Sequence, residues 1–164
     1  MQKVLGLAEL DRSRPALTIE RFDDALASVA RDLIDTMRAS PGCVGLAAPQ
    51  IGVGLRIFVV DVTDHPKTTT CHGRLVLCNP KLVLAEDKQL AREGCMSVPD
   101  LTGDVARAGR IVVVGLDQAG EKRRIETDAF EARAIQHEID HLDGLVFLDR
   151  LAGPRALHVR RIYR

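Results

Sequence analysis

Between Thr18 and Arg38 the apolar residues Phe22, Leu26, Val29, Leu33 and Met37 recur every three or four positions, which draws one stripe along a helix with a charged face opposite. Thr18 offers an N-cap, and Ser40, Pro41 and Gly42 a stop, so the pattern predicts a helix from about Thr18 to Arg38. VGLAAPQIGVG, residues 44–54, then breaks the periodicity. Its glycines and alanines suit a loop whose backbone approaches a ligand closely. Beyond it, RIFVVDV, LVLCNPKLVL and RIVVVGLD are β-branched or apolar runs bounded by turn residues, and Gln118 to Gly120 turns the last of them into KRRIET. Several short strands are expected. Asp128 followed three residues later by Glu131 reads as a capping box, predicting a second helix to about Leu142, with Gly144 just past its end. No repeat, low-complexity tract or long linker interrupts this helix, strands, helix order, so one domain is expected over residues 1–164.

The second helix carries QHEIDHLDG, residues 136–144, and with it the chemistry. At about 100° and 1.5 Å per residue, His137 and His141 lie about 40° apart around the helix and about 6 Å apart along it, so both imidazoles reach one ion. Glu138 is offset by about 100°, beside the ion rather than on it, where a general base for an attacking water belongs. Two histidines and a water still leave a tetrahedral ion one protein ligand short. After His141 only Asp143, Asp149 and His158 remain, none at the spacing of a zincin protease. Upstream, Cys95 in the polar, turn-rich segment REGCMSVPD is the chosen third ligand. Cys71 and His72 form an adjacent pair, but HPKTTTCHG has the composition of a mobile surface loop. Cys78, inside LVLCNP, reads as a small buried hydrophobe, and Cys43 has no evident place.

Composition narrows the setting. With 164 residues, 46% of them hydrophobic, the chain has material for one core. Its 23 basic and 23 acidic residues balance, which argues against DNA or an anionic membrane as partner. No apolar run approaches the roughly 20 residues that span a bilayer, and MQKVLGLAELDRSRP lacks an apolar export segment. The expectation is a soluble, unexported, cytoplasmic protein. Four cysteines without a CxxC pair fit free thiols in a reducing compartment better than a disulfide scaffold.

VGLAAPQ, EGCMS and QHEIDH, in this order, resemble the three signature motifs of the peptide deformylase family, enzymes that remove the N-formyl group from the initiator methionine of new bacterial or organellar proteins. The clear part of the resemblance runs from Val44 to about Leu148. It implies an α+β fold of short, mainly antiparallel strands around a C-terminal metal-bearing helix, with the N-terminal helix packed outside. It implies that Cys95, His137 and His141 hold a divalent metal and that Glu138 passes a proton from water to the leaving amine. The Gln50 amide and the backbone N–H of Met96 would stabilise the oxyanion. Gly45 would meet the substrate backbone, and Val44, Phe130 and Ala134 would wall a pocket for the methionine side chain. The ligand set alone favours zinc, whereas the family implies Fe2+, with Zn2+, Ni2+ or Co2+ as substitutes. N-formylmethionyl peptides are the implied partners. The competing readings are another HExxH metallohydrolase acting on peptides or small amides, and a metal-binding paralogue without catalysis.

The chain departs from the family pattern at four places. Cys43 stands where a glycine usually precedes the first motif, and Thr102 where an arginine often helps to bind the peptide, with Arg107 further on. VLGLAELDRSRPAL lacks the usual pattern before the first helix. RALHVRRIYR, residues 155–164, is too short for a long C-terminal helix; its four arginines read as a solvated basic tail, or else as a weak phosphate contact with the ribosome.

Overall fold

The structure, a computed structural model, describes residues 1–160. In chain order it consists of α1 (Asp24–Ala39), β1 (Gly45–Ala47), a 3-10 turn (Ala48–Ile51), β2 (Ile57–Val60), β3 (Leu75–Cys95), β4 (Val98–Leu116), β5 (Lys122–Asp128), α2 (Ala129–Leu142), a second 3-10 turn (Phe147–Arg150) and β6 (Leu157–Val159). The strands form one antiparallel sheet in the order β1-β2-β3-β4-β5, with β6 added to β4 at its Cys95-proximal end. The fold is the expected α+β arrangement, with one correction. β3 and β4 are long, 21 and 19 residues, and pair from Cys78 opposite Leu116 to Cys95 opposite Val98.

The sheet has a helix on each side, and β2 shows why. All four of its residues are buried. Phe58 and Val60 point toward α2, where they join Ile135, Ile139 and Leu142 with Leu77, Ile111 and Val113 from the sheet. Ile57 and Val59 point the other way, onto Leu26, Ala30, Leu33 and Met37 of α1. A strand apolar on both faces is the signature of a central layer. α2 is thereby enclosed by sheet, and α1 packs outside.

Three boundaries differ from expectation. α1 begins one turn later than Thr18, capped by Asp23, whose carboxylate accepts the N–H of Leu26. The preceding chain is held extended instead, because Asn79 accepts from the N–H of Ile19 at 2.8 Å and donates to its carbonyl at 2.9 Å. Gly45–Ala47 is a strand paired with β2 rather than loop. At the start of α2, Asp128 makes no capping bond; Glu131, fully buried, accepts from Thr127 and from the His72 backbone N–H, and pairs with the His72 ring. His72 is thus anchored to α2, which corrects the mobile-loop reading around Cys71. No helix among the described residues is long and apolar enough to cross a membrane.

Candidate metal centre

α2 brings His137 and His141 toward the β3–β4 turn, and β3 ends there on Cys95. The Cys95 thiol and one nitrogen of each histidine lie within 4.8 Å of one another. Cys95 Sγ is 3.3 Å from His141 Nε2, close to the roughly 3.5 Å that separates two donors of a tetrahedral ion with bonds of about 2.0–2.3 Å. The His137 and His141 rings stand nearly edge to face, centroids 4.9 Å apart. Burial keeps the His141 pKa well below its ordinary value, so its ring is neutral and able to ligate.

Glu93, which the motif reading did not single out, orients His137. Its carboxylate lies 2.9 Å from His137 Nδ1, which leaves Nε2 to face the cleft. Burial opposes charge on Glu93, but hydrogen bonds from His137 and Arg107 outweigh it and hold the carboxyl down at about 2. On His137, burial opposes protonation, yet hydrogen bonds with Cys95 and Glu93 push the ring up to about 10; a cation at Nε2 would displace that proton. Arg107 binds Glu93 through two nitrogens, at 2.6 and 3.0 Å, and Asp140 through a third at 2.7 Å. Arg133 adds a bond to Glu93 at 2.7 Å and Arg150 one to Asp140 at 2.9 Å. Arg107 is therefore locked inside a buried ion network and is not available to a peptide at Thr102. A signal for Glu93 was present in the sequence: on a strand, residues two apart share a face, so a Glu at 93 accompanies a ligand at 95.

Glu138 faces the cleft from α2. It is buried, and its Oε2 has no hydrogen-bond partner among the described residues. Burial pushes its carboxyl up to about 7, where it exchanges protons readily near neutral pH. Gly45 makes room for it: a Cβ at that position would meet Glu138 Oε1 at 2.5 Å. Gln50, buried in the 3-10 turn after β1, has its carbonyl held by the Ala47 N–H at 2.9 Å, which aims its amide NH2 at Ser97 Oγ, 3.2 Å, and Cys95 Sγ, 3.6 Å. A sulfur, two imidazoles and an unpartnered buried carboxylate fit a divalent transition ion better than Mg2+ or Ca2+, which prefer oxygen donors.

These groups open into one cleft of about 520 Å³, lined on the polar side by Gln50, Cys95, His137 and Glu138. Met96 follows Cys95 at the turn and also lines it. Val44, Gly45, Phe130 and Ala134 all border the same space, so the site residues read from the motifs converge, with His141 buried behind them. His65 was not foreseen; it stacks on Phe130 with ring centroids 3.8 Å apart and thickens that wall. Cys43 also faces the cleft, with Sγ 3.1 Å from the Gly45 carbonyl; burial pushes its thiol up to about 12, and it is not among the donors that converge at Cys95, His137 and His141.

The polypeptide deformylase family matches residues 7–156. A peptide deformylase of Heliobacterium modesticaldum is 45% identical over 149 residues, covering 91% of this chain and 93% of that protein. A peptide deformylase of Legionella pneumophila has a crystal structure that superposes with a TM-score of 0.83 at 39% identity, covering 94% of this chain and 87% of the other. One from Acinetobacter baumannii, described as class I type b and bound to Met-Ala-Ser, superposes with a TM-score of 0.82 at 30% identity, covering 92% and 99%. With a match over most of its length and the same fold, this chain belongs to the peptide deformylase family.

Proposed function

We propose that the chain, as one domain over residues 1–164, removes the N-formyl group from the initiator methionine of nascent polypeptides at the cleft between β1, the β3–β4 turn and α2. The observation that carries this reading is the convergence of Cys95, His137 and His141 on one point with a buried, unpartnered Glu138 beside it. Those three residues would hold a divalent ion, which would supply Lewis acidity for a formyl oxygen and for a water near neutral pH. Glu138 accepts the proton of the attacking water and gives it to the leaving amine. The Gln50 NH2, oriented by Ala47, and the Met96 backbone N–H donate to the oxygen that gains charge. Val44, Phe130 with His65 stacked on it, and Ala134 receive the methionine side chain, and the Gly45 backbone meets the peptide. The Acinetobacter relative's complex with Met-Ala-Ser supports a cleft of this kind taking a peptide.

Gly45→Ala tests how Glu138 is placed. The added methyl would push on Glu138 from its carboxylate back to Cγ, so the side chain must shift, and kcat for formyl-Met-Ala-Ser should fall roughly tenfold or more beyond any loss of stability, since small displacements of a reacting group are costly. Steady-state kinetics with a thermal melt separates the two effects.

Ferrous iron is the working ion in this reading, with Zn2+ the one retained after aerobic purification, and Ni2+ or Co2+ able to substitute. The site of action is the cytoplasm, where new chains emerge, with a weak ribosome contact through the basic tail as an accessory; Arg161 and Arg164 of that tail lie outside the described residues. Anaerobic loading with Fe2+ should give faster formate release from formyl-Met-Ala-Ser than loading with Zn2+. A much faster zinc form would overturn the iron assignment, and no formate from either form would overturn the function.

A further inference from the structure

β6 carries a cation into the cleft that the proposed chemistry leaves unused. Leu157–Val159 pairs with Leu101–Gly103 of β4, and the Arg160 N–H extends the ladder by donating to the Asp100 carbonyl at 2.8 Å. The Arg160 side chain turns inward, to lie over Gly94 so closely that a Cβ there would collide with its Nη2. It lines the cleft together with Thr102, which offers no charge.

The guanidinium has five N–H donors, and its surroundings use few of them. Among the described residues its side chain makes one hydrogen bond, a long one of 3.5 Å from Nη2 to the Cys95 carbonyl, and its buried Nε has no hydrogen-bond partner. Of the nearby acids, Glu93 is taken by Arg107, Arg133 and His137, and Asp104 by Arg92 and His158, while the exposed Asp100, whose carbonyl receives the Arg160 N–H, makes no ion pair with it among the described residues. A partly buried arginine with idle donors is costly unless something that visits the cleft supplies acceptors. Gly94, Cys95, Thr102 and Arg160 line the same cleft, so a peptide with its formyl group at Cys95, His137 and His141 and its chain leaving on that side would bring its carbonyls to Arg160 as such acceptors.

We propose that Arg160 is a specificity-determining residue for this reaction, binding the peptide carbonyls that follow the methionine's own, and, in a tripeptide, the free C-terminal carboxylate as well. The proposal rests on the deformylase reading. It makes productive binding sensitive to how much chain follows the methionine, which suits a polypeptide substrate over free formylmethionine.

The test compares three substrates in the Fe2+-loaded protein and in Arg160→Met, which keeps the apolar stem and removes the donors. For formyl-Met-Ala-Ser and for formyl-Met-Ala-Ser amide, KM should rise about tenfold or more, as expected for a lost charge-assisted hydrogen bond, with kcat changed less. The larger rise belongs to the free acid. For formyl-methionine amide, KM should stay within about twofold. Arg160→Lys should recover part of the loss, and it carries the same comparison if Arg160→Met fails to fold or to load metal. Equal changes for long and short substrates, or none, would overturn the role of Arg160 while leaving the function intact; failure of the unaltered protein to process any of the three would overturn the function itself.

Discussion

Glu138→Gln should lower formate release on the order of 10³-fold while leaving one metal ion per chain, the range expected for removal of a general acid–base. The exchange preserves shape, and the side chain is buried with its Oε2 unpartnered among the described residues, so no intramolecular hydrogen bond to that atom is lost. Folding should be unharmed, since the amide removes a group whose charge burial already disfavours. Glu138 acts as a base only when ionised, and burial sets its carboxyl at about 7; a cation alongside favours the charged form, so the acidic limb of kcat should fall below 7 and vanish in Glu138→Gln. Kinetics paired with elemental analysis reads both quantities. Loss of the metal would place the carboxylate among the ligands, and a fall of less than tenfold would remove Glu138 from the proton path.

Glu93→Ala should be the most destabilising single change at the site. It would leave Arg107 buried with only Asp140, and Arg133 without its carboxylate partner. Breaking a buried pair by removing one member costs about 3–5 kcal/mol, a large share of the roughly 5–15 kcal/mol that holds a domain together. It should also weaken metal binding about 10–100-fold, because His137 loses the acceptor that orients its ring. Denaturant unfolding and metal titration give the two numbers, and a loss under about 1 kcal/mol would mean that Arg107 and Asp140 suffice. The linkage has a definite direction. A carboxyl held at about 2 in the folded chain against an ordinary 4.5 contributes stability that is complete above 4.5 and lost as pH falls toward 2. The alanine variant should therefore show a shallower loss of stability in acid.

The legible parts of the sequence were those in which spacing and chemistry coincide. On α2, two ligands and a base follow from helical geometry alone, and the apolar runs became β2, β4 and the start of β3 because each has a buried face. The far part of the β3–β4 hairpin escaped, since Glu86 to Leu90 is exposed and carries no apolar alternation; its length is set by pairing with β4. α1 was placed too early because a cap was judged by residue type, while Asn79, sixty residues away, holds Ile19 extended. β1 has three residues, two of them Gly and Ala, and becomes a strand only because β2 lies beside it. The site was short of Glu93, Ser97 and His65 for a related reason. Each acts through a partner distant in sequence: His137 for Glu93, Gln50 for Ser97 and Phe130 for His65. Arg107, which the sequence shows only as lying beyond Thr102, serves an internal ion network, and Arg160 looked like tail while its side chain lies in the cleft.

The coordination itself is open to X-ray absorption spectroscopy on the Fe2+- or Zn2+-loaded protein. Cys95, His137 and His141 around one ion predict a shell with one sulfur at about 2.3 Å and nitrogen or oxygen donors at about 2.0–2.1 Å, with imidazole scattering beyond them and the sulfur gone in Cys95→Ser. A first shell without sulfur, or one with two sulfurs in which Cys43 takes part, would contradict the assignment of these three residues as the metal's ligands.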